Sequence, residues 1–221
     1  MPEPTLHRER EQVADACRRL AAEGLVHGTA GNVSARREQR VAISPTGAPL
    51  ADVTVDQVSV VDLAGRVVGG ELEPTSELDL HLGVYGRYGA GAVVHTHAPM
   101  ATALSCVIEE LPCVHYQMLY LGGTVRVAPY ATFGTPELAA SVLDALDGRT
   151  AALMANHGAI AYGASVEQAI ELSLLLEWAC TVYWRARALG EPSELDEEQR
   201  AAVVAAAVER GYGTTREVSH D

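Results

Sequence analysis

The chain has 221 residues, 48% hydrophobic and 20% charged, with a formal net charge of −13. That length and apolar share suit a packed domain with its own core and exclude a disordered chain. The acidic balance excludes a nucleic-acid partner, whose phosphates need a basic face, and equally an anionic membrane surface. Cys17, Cys106, Cys113 and Cys180 show no CxxC spacing, so they are expected to be reduced thiols. MPEPTLHRER holds no signal-peptide pattern, and no apolar run approaches the roughly 20 residues of a membrane helix, so a cytoplasmic location is expected.

In chain order, Leu6, Val13, Cys17 and Leu20 recur at helical spacing, and Gly24 stops that helix. GTAGNVSAR, residues 28–36, forms a Gly-rich turn leading towards a strand at 41–43, and Ser44-Pro45-Thr46-Gly47 is a second turn. Residues 53–69 hold short β-rich runs around Gly65, a hairpin pattern. Pro74-Thr75-Ser76-Glu77 opens a helix, with hydroxyl residues at the N-cap and an acid in the first turn, and Gly89 and Gly91 end it. A strand over GAVVHTHA, residues 91–98, precedes a short helix over 99–105.

Residues 150–154 and 159–162 are strand-like, separated by Asn156-His157-Gly158. Ser165-x-x-Gln168 is a capping box for a long helix that aligns Ala169, Leu172, Leu176, Ala179 and Tyr183 on one face. A last helix spans about 196–210. Connections this short leave no room for repeated βαβ crossovers. The expected fold is therefore mixed α/β (α+β), a single domain over 1–221 with a central, largely antiparallel sheet flanked by helices on both faces. The tail from about 211 to 221 is expected to be flexible.

The sharpest chemical feature is His95-Thr96-His97. Side chains two apart on a strand share a face, so two imidazoles there can grip one divalent ion. His157, at the Gly-punctuated break, reads locally as a turn residue. As a third imidazole it completes the donor number of a catalytic zinc site with an open position. Glu77 is the natural acidic partner, ionised by the helix start at which it stands. Glu77 and His81 compete with that reading, because their i, i+4 spacing also puts an acid and an imidazole on one helical face.

Three turns offer small hydroxyl or amide side chains beside accessible N–H groups: Gly28-Thr29-Ala30-Gly31-Asn32, Ser44-Pro45-Thr46-Gly47, and Thr75-Ser76. A phosphate can be held this way without a cluster of basic side chains. Neither GxGxxG nor the P-loop pattern occurs, which disfavours dinucleotides and nucleoside triphosphates.

Taken in order, GTAGNVS, PTSE, AVVHTHA, VHY, APYATFGT and NHGAIAYG resemble the class II aldolase/adducin family, over about residues 20–163. The resemblance implies one zinc, or another divalent metal, per subunit on His95, His97 and His157, with Glu77 as fourth ligand and catalytic base. It implies phosphate binding by Thr29, Gly31, Asn32, Thr46, Gly47, Thr75 and Ser76. Tyr116 would act on the aldehyde oxygen from a neighbouring subunit of a homotetramer whose active sites lie at subunit interfaces. Phe133 and Tyr212 would shape the aldehyde side.

The implied reaction is cleavage of a ketose 1-phosphate, such as L-fuculose 1-phosphate, to dihydroxyacetone phosphate and an aldehyde such as lactaldehyde, through a metal-stabilised enediolate. Alternatives within the family are sugar-phosphate epimerisation, dehydration, oxo-acid phosphate decarboxylation and a non-catalytic adducin-like module. The resemblance implies an Asp in the stretch after HxH for a 4-epimerase, and Ala98 to Cys106 carries no acid, which disfavours epimerisation.

Overall fold

The structure, a computed structural model, describes residues 6–211. The expected tail beyond Gly211 and the candidate Tyr212 lie outside the described residues. Helix α1 (His7–Ala22) leads into strands β1 (Asn32–Arg37), β2 (Arg40–Ile43), β3 (Ser59–Asp62) and β4 (Val67–Gly69). Helix α2 (Leu78–Tyr88), strand β5 (Ala92–Thr96) and helix α3 (Pro99–Ser105) follow. Then come β6 (Glu110–Leu111), β7 (Val125–Ala128), α4 (Pro136–Ala145), β8 (Ala151–Met154), β9 (Gly158–Gly163), α5 (Val166–Leu189) and α6 (Glu197–Arg210).

The strands form one nine-stranded sheet in the order β4-β3-β2-β1-β5-β9-β8-β7-β6. Every pairing is antiparallel except β7 with β8. Period-two alternation divides its apolar residues between two cores. Val94 and Ala92 pack with Val13, Cys17, Leu104, Ile170 and Leu176, under α1, α3 and α5. Val93 faces the other way, with Leu80, Val84, Leu138 and Val142 of α2 and α4. His95 shares the parity of Val93, so it projects towards the side that carries α2.

Local chemistry differs from expectation at three places. Residues 32–37 are a strand of their own, at the middle of the sheet between β2 and β5, rather than the end of a turn. Its Arg36 and Arg37 and its Gly-rich approach mask the alternation. The sequence pattern also missed β7 and α4, although Thr135 accepts from the Leu138 N–H as an ordinary N-cap before Pro136. Finally, Glu77 itself occupies the N-cap of α2, and the Thr75 hydroxyl accepts from the Glu77 N–H at 3.3 Å. The Glu77 side chain makes no cap hydrogen bond and is left to face the sheet.

The expected capping box at Ser165 is present in part, and a complete one that the sequence pattern did not indicate opens α6. Asp196 and Gln199 form a full reciprocal box on α6. Ser165 accepts from the Gln168 N–H, but the Gln168 side chain accepts from the N–H of Ala164, one residue further out.

Candidate metal centre

Three elements bring the histidines together. His95 lies in β5, His97 just beyond it, and His157 in the turn joining β8 to β9. Pairing of β5 with β9 sets His95 opposite Ile160 and Thr96 opposite Ala159, which draws the 155–157 turn over the end of β5. Asn156 takes the left-handed conformation (φ 55°) that this turn needs, and asparagine tolerates it better than most residues. Beyond His97, the Glu177 carboxylate on α5 accepts from the N–H groups of Met100 and Ala101 at 2.9 and 2.8 Å. It caps α3 from another helix and anchors the segment that carries His97.

The ring nitrogens converge. One ligand atom from each of the three histidines lies within 4.8 Å of the others. His95 donates from Nδ1 to the Ala159 carbonyl at 2.9 Å, so in the neutral ring the lone pair lies on Nε2. That Nε2 stands 3.0 Å from Nε2 of His97 and 3.2 Å from Oε2 of Glu77. Oε1 of Glu77 lies 3.6 Å from Nε2 of His157, is buried, and has no hydrogen-bond partner.

Lone pairs of a nitrogen and a carboxylate facing each other need a cation between them. A tetrahedral ion with bonds of about 2.0–2.2 Å separates its donors by roughly 3.3–3.6 Å, close to these spacings. The donor set therefore fits a divalent metal, and the Ala159 carbonyl orients the His95 ring towards it.

Burial and neighbouring charge prepare these groups. Burial pushes His97 and His157 down to about 4, with His95 adding to the effect and Glu77 opposing it, so both rings are neutral ligands near pH 7. Burial alone would raise the Glu77 carboxyl. His95, the Asn32 hydrogen bond, His157 and His81 outweigh it and hold the group below the usual carboxylate range. His81 is not part of this cluster: it is fully buried and bonded to Asn32 and Ser34, which removes the competing Glu77–His81 arrangement.

Glu77, His97 and His157 line a cleft of about 480 Å³. Thr29, Gly31, Asn32, Thr46, Gly47, Thr75 and Ser76 all line it, so the three expected turns meet at one place. No arginine is among the lining residues. An anion there would depend on N–H groups, hydroxyls and the metal.

Residues 11–184 match the family profile for the class II aldolase and adducin N-terminal domain. The chain belongs to this family. It is 38% identical over 197 residues to 5-deoxy-D-ribulose 1-phosphate aldolase of Bacillus thuringiensis serovar kurstaki, covering 88% of this chain and 92% of that protein. It is also 38% identical over 195 residues to L-fuculose phosphate aldolase of Escherichia coli, covering 87% and 90% respectively. A solved L-fuculose 1-phosphate aldolase superposes with a TM-score of 0.87 at 34% identity, over 90% of this chain and 95% of that one. The chain is a lyase of the class II aldolase type, and its mixed α/β fold with a mostly antiparallel sheet is that of its solved relative.

In this class II aldolase Phe133 lies at the rim of the metal-centre cleft, 65% exposed. Tyr116 is elsewhere. It starts a 3-10 turn, Tyr116–Leu121, and borders a separate groove of about 610 Å³ against α6, with Tyr120, Val204 and Val208. Sequence reasoning had assigned no site role to Tyr130 or Asn156, yet both line the metal-centre cleft. Their signals were present, since Tyr130 lies in the APYATFGT motif and Asn156 directly precedes His157.

Proposed function

We propose that the chain is a zinc-dependent aldolase that cleaves a deoxyketose 1-phosphate, L-fuculose 1-phosphate or 5-deoxyribulose 1-phosphate, to dihydroxyacetone phosphate and a short aldehyde. The observation that carries this reading is the Glu77 carboxylate, wedged among three imidazoles with Oε1 unpartnered, beside a cleft walled by hydroxyls and turn N–H groups. The chain contains no lysine, so the Schiff-base route to aldol cleavage is closed to it. His95, His97 and His157 would hold one zinc per subunit, with Glu77 as a fourth ligand. When bound, the ion would supply Lewis acidity to the negative charge that develops as the carbon–carbon bond breaks.

The remaining work falls to side chains. Thr29, Gly31, Asn32, Thr46, Gly47, Thr75 and Ser76 hold the phosphate through hydroxyl and N–H donors, and so position the reacting carbons beside Glu77. The hydroxyl that becomes the aldehyde oxygen loses its proton through Tyr116 to solvent. The carbon–carbon bond then breaks, and Glu77, protonated from solvent once substrate has entered, delivers that proton to the carbon that retains the electron pair.

Tyr116 does not line its own subunit's cleft, which supports its acting on a neighbour's. Tyr116 and Tyr120, 39% and 54% exposed beside Val204 and Val208, form an apolar face suited to burial between copies of a homotetramer. Phe133 contacts the aldehyde portion, a role we extend to Tyr212. No helix among the described residues is long and apolar enough to cross a membrane, and all four cysteines are unpaired, which supports cytoplasmic residence.

The test is cleavage of both ketose 1-phosphates by zinc-loaded protein, with dihydroxyacetone phosphate release coupled to NADH oxidation. Chelator-sensitive turnover of either is expected. Zinc-loaded protein inert towards both would overturn the proposal.

A further inference from the structure

A line of buried polar side chains runs behind Glu77, and the proposed reaction assigns most of it no task. Asn32 and Ser34 are two apart on β1 and share a face, while His81 and Tyr85 are one turn apart on α2. The two pairs interlock. Tyr85 Oη lies 2.6 Å from Ser34 Oγ, which lies 2.6 Å from Nδ1 of His81. Nε2 of His81 lies 2.5 Å from Oδ1 of Asn32, whose Nδ2 is 2.8 Å from Oε2 of Glu77. Ser34, His81 and Tyr85 are each at most 1% exposed, and Asn32 is 4% exposed.

Every proton in this line has one place to be. The ionised Glu77 oxygen only accepts, so Asn32 turns its nitrogen to Glu77 and its oxygen to His81. That oxygen also only accepts, so His81 must carry its proton on Nε2. A fully buried imidazole without a direct counter-ion is neutral, so Nδ1 is bare and accepts from Ser34. The single Ser34 proton is thereby used, and Tyr85 donates to Ser34. Reversing any member would set two acceptors or two donors face to face in a site that water does not reach.

We propose that His81 is a positioning residue for the aldol reaction: as the Nε2–H tautomer it fixes the carboxamide of Asn32, which ties back Oε2 of Glu77 and leaves Oε1 directed at the metal centre. The proposal rests on the reading of Glu77 as ligand and base. It also explains why a polar line is kept where α2 meets the sheet, a place that leucine or valine could fill at lower desolvation cost.

The experiment compares wild type with His81→Leu, which can neither donate to Asn32 nor accept from Ser34, and with His81→Gln, whose amide can do both. Nitrogen-15 NMR of the metal-free wild type should show His81 neutral and protonated on Nε2; an Nδ1–H tautomer overturns the proposal. Zinc affinity, read by competition with a chromophoric chelator, should fall about tenfold or more in His81→Leu and be largely restored in His81→Gln. In the cleavage assay His81→Leu should lower kcat by about 10²-fold, with KM near the wild-type value, and His81→Gln should recover most of it.

A His81→Leu protein with wild-type zinc affinity and kcat overturns the proposal. So does a folded His81→Gln protein that loses zinc as His81→Leu does. If His81→Leu does not fold, the ring tautomer and His81→Gln decide. A wild type inert towards ketose 1-phosphates overturns the functional reading instead, and the NMR and zinc measurements still decide the role of His81.

Discussion

Nδ1 of His95 donates to the carbonyl oxygen of Ala159 at 2.9 Å, from β5 to its neighbour β9. One hydrogen bond thus sets the tautomer of His95 and points its free nitrogen at His97 and Glu77. If this nitrogen is a metal ligand, His95→Ala should weaken zinc binding by about 100-fold or more, since altering outer-shell partners alone costs about 10–100-fold. Metal content after dialysis and a chelator competition titration check it. Unchanged stoichiometry and affinity would remove His95 from the site.

Glu77→Gln keeps the size of the side chain and its place at the N-cap of α2 while removing charge and basicity. It should fold as wild type does and lower kcat by about 10²–10⁴-fold, the range typical of a lost general base. Its zinc affinity should fall as well, because the carboxylate sits 3.2 Å from His95 and 3.6 Å from His157. Steady-state kinetics of the zinc-saturated variant measure the catalytic part separately.

Tyr116→Phe tests the proposed division of labour between neighbouring subunits. Cleavage should fall by about 10²-fold, while solvent exchange of the carbon-bound proton of dihydroxyacetone phosphate continues near the wild-type rate. Equal loss of both activities would take Tyr116 off the aldehyde side.

Acid should destabilise the metal-free protein, starting well above the carboxylate range. Burial holds His81 at about 3 and both His97 and His157 at about 4, all below the unfolded value of 6.5. Each is neutral in the fold and gains its proton on unfolding. Their stabilising effect is therefore complete above pH 6.5 and is lost as the pH falls towards 4 and then 3. His81 alone contributes a slope of about 1.4 kcal/mol per pH unit in that window. Glu77, held below 4.5, acts in the same direction at the acid end. Urea midpoints between pH 7 and pH 5 should fall steadily, and a flat profile would contradict the burial of His81.

Gly158 is required by close backbone approach. A Cβ built there meets the Thr96 carbonyl oxygen at 2.2 Å, and backbone cannot yield as a side-chain tip can. Gly158→Ala should cost about 1–3 kcal/mol or more and shift His157, its chain neighbour. A lower melting temperature together with weaker zinc binding is expected. Loss of stability with zinc affinity intact would show that the 155–157 turn is not what sets His157.

Much of the site was legible in the sequence because its parts are short. His95-x-His97 on a strand, the hydroxyl-rich turns and the helix start at Glu77 follow from local periodicity and turn chemistry. The long helix was equally legible, through its cap and apolar spacing, and the last helix was placed at about the same bounds as observed. Strands β1 and β7 and helix α4 were not, since each is short and draws its burial from neighbours remote in sequence. The function of His81 was hidden for the same reason. From Glu77-x3-His81 the ring looked like a partner of the carboxylate, whereas Asn32 and Ser34, 49 and 47 residues away, are the groups that hold it.

The sequence by itself determined the donor types, their pairing in short motifs, an acidic chain without lysine, and the element classes that local spacing encodes. Only the tertiary structure decided that the β8–β9 turn closes over β5, that Glu77 turns from its own helix to the imidazoles, and that Tyr116 borders a different groove. The division follows from the range of the forces. Backbone geometry relates residues a few positions apart, whereas burial and antiparallel pairing bring together Asn32, Glu77, His95 and His157, whose order along the chain says nothing of their distance in space.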